Sequence, residues 1–173
     1  MIIAYTESMA FYSNYRVRKL GLDGVIDAVF SPADHDFPRN VDIEVMRKYP
    51  ASHYEFEHTK HEHTPKGELK PNPDILLQII EYANADPEDC VYVGDSRFKD
   101  IVMAQDAGVD DVWAKYGPAH QREEYEPLRD VTHWSDDDVE YERRLKDREN
   151  KPTYVLSTEF SQLLDYFTFH ERR

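Results

Sequence analysis

Three short apolar runs, each closed by a turn and followed by a helical pattern, constrain this chain most. Met1–Tyr5 leads through Thr6 into a helical pattern reaching Leu20, with Phe11, Tyr12, Tyr15 and Val17 on one face and Gly21 as its C-terminal cap. Val25–Phe30 is the second run. Cys90–Val93 is the third; it ends at Gly94-Asp95, and a helix from about Phe98 to Ala107 follows it and closes at Gly108. Between the second and third lies the clearest helix. Asn72 is suited to cap it and Pro73 to open it, and Ile75, Leu76, Ile79, Ile80 and Ala83 form one apolar stripe. Asp111–Ala114 and Thr153–Leu156 read as further strands. A closing helix over Glu159–Phe167 is predicted to turn Phe160, Leu163, Leu164 and Phe167 inward. Strands alternating with helices at these spacings predict an α/β fold: a three-layer, Rossmann-like parallel sheet with helices on both faces.

Two stretches break the alternation. Asp34–Lys66 holds five of the eight histidines with little periodicity, and Gln121–Asn150 holds 11 acidic and 6 basic residues. Neither has the apolar content for its own core, so residues 34–66 and 121–150 read as insertions in a single domain spanning 1–173. The excess of 35 acidic over 21 basic side chains gives a net charge of −14, the wrong sign for nucleic acid or an anionic membrane surface. Cys90 is alone, which rules out a disulfide framework and suggests a reducing compartment. No apolar run approaches the roughly 18 residues of a membrane span, and MIIAYTES lacks the features of a signal peptide. A cytoplasmic protein is the expectation.

In parallel α/β sheets, ligands bind beyond the carboxyl ends of the strands, so the polar residues there are the candidates. Thr6 and Glu7 follow the first strand, where free N–H groups at a helix start attract phosphate; a plain capping role for Thr6 explains the same position. Lys70 precedes the proline-locked helix, a rigid place from which to hold an ammonium near a phosphate, though surface lysines are also common there. Asp95 ends the third strand and Asp100 lies five residues on. Two carboxylates so placed suit Mg²⁺, and they also suit a helix cap and dipole.

Taken in order, strand–Thr6, Lys70-Pro71-Asn72-Pro73, and Val91-Tyr92-Val93-Gly94-Asp95-Ser96 with Asp100 and Ala107-Gly108 resemble the haloacid dehalogenase (HAD) superfamily. Thr6 matches its second motif, Lys70 its third, and Asp95 with Asp100 its fourth. The resemblance covers roughly Met1–Gly117 and Thr153–Phe167. It implies Mg²⁺-dependent phosphate-ester hydrolysis of phosphorylated small molecules. Thr6 and Lys70 would hold phosphoryl oxygens, and Asp95 and Asp100 the metal. The family's nucleophile, the first aspartate of Asp-x-Asp-x-Thr after a first strand, forms an aspartyl-phosphate; the second aspartate is the acid/base.

That first motif is missing here. The one Asp-x-Asp outside an acidic run, Asp34-His35-Asp36, follows Thr6 and has no threonine after it. The family's first strand also lies between the strands ending in Thr6 and Asp95, so its loss leaves two sheet edges to fill. The expectation is therefore an N-terminally truncated phosphatase core, inactive alone, complemented by an N-terminal segment or a second copy. The alternative is a catalytically inactive HAD-fold binding or oligomerisation domain. His53, His58, His61 and His63 match no closed four-ligand zinc site; they read as a solvated, histidine-rich loop.

Overall fold

The computed structural model describes residues 1–34, 47–117 and 150–170. The expected insertion at 121–150 lies outside them except for Asn150, as does most of Asp34-His35-Asp36. The described residues gather into two compact units, Met1–Leu69 and Lys70–Arg173. No described helix is long and apolar enough to cross a membrane.

In the first unit, β1 (Ile3–Tyr5), β2 (Ala28–Pro32) and β3 (Lys60–Thr64) form a parallel sheet in that order. Tyr5 is opposite Phe30, and Pro32 is opposite Thr64. Helix α1 spans Ala10–Lys19. It starts four residues later than its pattern suggests, because Thr6 Oγ1 accepts the Ser8 N–H at 3.1 Å and holds the chain in a turn. Gly21, with φ +69°, takes the left-handed position after the helix. Phe11 and Tyr15 of α1 pack on the segment around Tyr54. Phe11 stacks on Tyr54 at 4.4 Å and Tyr15 on Tyr49 at 5.6 Å, while Tyr12 stays exposed.

β3 corrects the sequence reading. Lys60–Thr64 falls inside the stretch 34–66 read as an irregular insertion, yet it pairs with β2 over its whole length. Its composition, Lys-His-Glu-His-Thr, carries no apolar signal. A fixed entry point takes the place of that signal. The Asp23 carboxylate accepts N–H groups from Glu57, His58 and Thr59 at 2.9–3.1 Å and Arg18 Nη1 at 2.8 Å, pinning the approach to the strand. Burial pushes the Asp23 pKa up, but the bonds from Glu57, Thr59, Arg18 and His58 outweigh it and hold the carboxyl well below the usual range.

The second unit follows the expected pattern more closely. Helix α2 spans Pro73–Tyr82, and Asn72 Oδ1 accepts the N–H groups of Asp74 and Ile75 at 3.1 and 3.2 Å. Ile75, Leu76, Ile79 and Ile80 are all buried, as their stripe predicts. β4 (Val91–Gly94), β5 (Asp110–Ala114) and β6 (Tyr154–Leu156) form a second parallel sheet. A π-helical turn at Arg97–Ile101 runs into α3 (Val102–Asp106) after β4. Val112, Leu156 and Leu163 make a core cluster with Val91, Val93, Tyr154 and Phe167 against it. The closing segment differs in part from expectation: Phe160–Asp165 is a 3₁₀ helix, with Leu163 buried and Phe167 packed against the core as expected, while Phe160 and Leu164 are exposed.

Among the described residues β1 pairs only with β2, and β4 only with β5. Both strands are half-buried along their length. Each leaves one row of backbone N–H and C=O groups without a strand partner.

Candidate functional site

Lys70 and Asp100 are brought together in the second unit. Lys70 sits two residues before the α2 cap, and its Nζ donates to Asp100 Oδ1 at 2.9 Å and to the Tyr92 hydroxyl at 2.8 Å. Tyr92 Oη in turn donates to Asp100 Oδ1 at 3.1 Å, and the Ser96 N–H reaches Asp100 Oδ2 at 3.0 Å. Lys70 is 8% exposed and Asp100 5%. Two opposite charges so buried persist only when paired and hydrogen-bonded, which this network provides.

Asp100 reaches that place because Gly94 has no side chain. A Cβ built on Gly94 meets Asp100 Cβ at 2.2 Å and Oδ2 at 2.7 Å. The carboxylate therefore lies over the end of β4, with the Ser96 side chain capping the turn through Lys99 N–H at 3.2 Å. Tyr92 and Gly94 belong to the site, although the motif that contains them assigns neither a role. A hydroxyl between two valines was the available signal, since position 92 shares its strand face with position 94.

Asp95 stands apart from that network. It is exposed at the end of β4, and among the described residues no hydrogen bond or ion pair is made to its carboxylate. Its main-chain carbonyl accepts Trp113 Nε1–H at 3.0 Å, which fixes the backbone from which the side chain projects. Arg97 lies 5.4 Å from the Trp113 ring centroid and is tied to Asn150 through both partners' main-chain carbonyls.

A Mg²⁺ ion needs hard oxygen donors with free lone pairs. Asp95 offers them. Asp100 Oδ1 accepts from Lys70 and Tyr92, whereas among the described residues Oδ2 accepts only the Ser96 N–H and keeps a lone pair. The donor types of Asp95 and Asp100 therefore fit the ion.

Thr6 and Glu7 lie in the first unit, both half-buried at the carboxyl end of β1. The Thr6 N–H donates to the Phe30 carbonyl at 3.0 Å, and its Oγ1 accepts from Ser8. Among the described residues the hydroxyl is given no acceptor for its own proton. Asp34 Oδ1 accepts the Phe11 N–H at 2.9 Å.

The fold and the residues at its strand ends define a parallel α/β protein with a buried lysine–aspartate pair and an open carboxylate beside it. The chain belongs to the haloacid dehalogenase-like hydrolase family: that family's model matches residues 19–108, and a HAD-hydrolase-like model matches residues 69–158. A glyceraldehyde 3-phosphate phosphatase of Pyrococcus furiosus is 38% identical over 52 residues, which are 30% of this chain and 22% of that protein. Phosphoglycolate phosphatase 1 of Pseudomonas aeruginosa is 43% identical over 53 residues, 31% of this chain and 19% of the relative. A probable phosphoglycolate phosphatase of Pseudomonas putida is 40% identical over 63 residues, 36% of this chain and 23% of the relative. The chain thus matches about a fifth of the length of these curated relatives. Among solved structures, a 2-haloacid dehalogenase of Pseudomonas syringae aligns with a TM-score of 0.41 at 21% identity, covering 80% of this chain and 44% of that one.

Proposed function

We propose that this chain is the core of a Mg²⁺-dependent phosphatase acting on phosphorylated small molecules, and that it needs an aspartate nucleophile from outside its own motifs. The observation that carries the reading is the ammonium of Lys70, buried and aimed by Asp100 and Tyr92 in a chain of this family. In this role Lys70 takes a phosphoryl oxygen and Asp100 positions the lysine, while the Thr6 hydroxyl, next to Glu7 in sequence, is the phosphate-binding group of the first unit. Asp95 holds Mg²⁺, which when bound offsets the negative charge of the phosphoryl group. The relatives' names, phosphatases of small phosphorylated acids and aldehydes, support the substrate class. The lone cysteine supports a reducing, cytoplasmic setting.

Groups that position charge accelerate phosphoryl transfer only with a nucleophile in line. The purified chain is therefore expected to show no turnover of p-nitrophenyl phosphate above background with Mg²⁺ present. Robust Mg²⁺-dependent turnover that Asp95→Asn abolishes would overturn the inactivity, and would make Asp34 or Asp36 the first suspects for the attack.

One observation favours a second reading. Among the described residues β1 and β4 each pair with one strand only, which suits a catalytically inactive domain that binds a partner or a second copy through its sheet. Under the first reading, a synthetic strand peptide ending in Asp-x-Asp-x-Thr restores turnover in trans. Under the second, light scattering finds a dimer and the peptide restores nothing.

A further inference from the structure

The histidine-rich segment that reads as a solvated loop is divided by the structure into three places. His53 stacks on Tyr49 at 5.3 Å, and the His58 side chain lies against Gly24. His61 and His63 alone come together, two residues apart on one face of β3, with ring centroids 4.8 Å apart. Two imidazoles sharing one tetrahedral metal, at a metal–nitrogen bond of about 2.0–2.1 Å, bring their centroids to roughly 5 Å.

The surroundings of His61 favour the same chemistry. Ser31, wholly buried on β2, gives its one hydroxyl proton to the Pro32 carbonyl at 3.1 Å. Its 2.8 Å contact with His61 Nε2 is then an N–H donation from the ring. The neutral ring so held carries its lone pair on Nδ1. Metal-binding histidines commonly show this second contact, which fixes the tautomer and orients the ring. Phe56 closes one side, its ring centroid 5.8 Å from that of His61, while His63 is exposed and leaves the other side open.

We propose that His61 and His63 form a two-histidine site on β3 for a borderline transition metal such as Zn²⁺, oriented by Ser31. Among the described residues no group of three or more His, Cys, Asp and Glu is placed to hold a metal, so the ion keeps its remaining positions for water or an incoming ligand. The site is independent of the phosphatase reading, because it uses neither Lys70 nor Asp95.

Zinc titration of the full chain by calorimetry, with excess Mg²⁺ to occupy the carboxylates, tests it. One Zn²⁺ per chain is expected. His61→Ala and His63→Ala should each lower its association at least tenfold, and Ser31→Ala about tenfold, while His58→Ala leaves it unchanged. The His61 and His63 ring signals in NMR should shift together at substoichiometric zinc. Should His61→Ala or Ser31→Ala fail to fold, the exposed His63→Ala variant and the ring signals carry the test. Zinc affinity unchanged in His63→Ala, or ring signals that do not move together, overturns the site.

Discussion

At the scale of single residues, the pair of Lys70 and Asp100 is the most exacting feature of the chain. Removing one partner of a buried ion pair leaves the other charged and unpaired, which commonly costs about 3–5 kcal/mol. Asp100→Ala should therefore lower the unfolding free energy, read by urea titration, by that order, whereas Tyr92→Phe, which removes one hydroxyl, should cost about 1–2 kcal/mol. Gly94→Ala is expected to rank with Asp100→Ala although it adds only a methyl group, because that carbon would sit 2.2 Å from Asp100 Cβ. A Gly94→Ala variant as stable as wild type would mean that the carboxylate can leave the end of β4 freely.

At the scale of elements, caps and anchors decide where structure starts. Asn72 holds two N–H groups at the α2 start, and Asn72→Ala should cost about 1 kcal/mol, read by the same urea titration. Asp23 does the equivalent work for β3. Its folded pKa is depressed, so the stability it contributes is complete above its unfolded value of about 3.9 and is lost as pH falls through the folded one. Acid titration should thus protect β3 amides less as pH drops below about 4. Asp23→Asn should flatten that loss while lowering stability at neutral pH, measured by hydrogen exchange.

At the scale of the whole molecule, charge and open edges dominate. A net charge of −14 on 173 residues opposes compaction by self-repulsion. Raising ionic strength screens it, so the melting temperature should rise as NaCl is increased from low concentration to about 0.15 M, where the Debye length is about 8 Å. The half-buried strands β1 and β4 complement this: among the described residues each pairs with one strand only, so each gains burial from one more. Any segment that restores turnover should therefore also raise the melting temperature.

What the sequence determined by itself were the elements whose signals are local. The stripe from Ile75 to Ala83, the Asn72-Pro73 start and the run Cys90–Val93 need only neighbours in sequence, and the structure forms them as α2, buried from Ile75 to Ile80, and as β4, shifted by one residue. The ordered motifs around Lys70, Asp95 and Asp100 likewise placed the chain in its family. Tertiary structure decided the rest, wherever the partner is distant in sequence. Lys-His-Glu-His-Thr becomes β3 because β2 and Asp23 supply backbone partners that composition does not encode. Asp100 meets Lys70, thirty positions earlier, because bare Gly94 lets it lie there and two buried opposite charges gain from pairing.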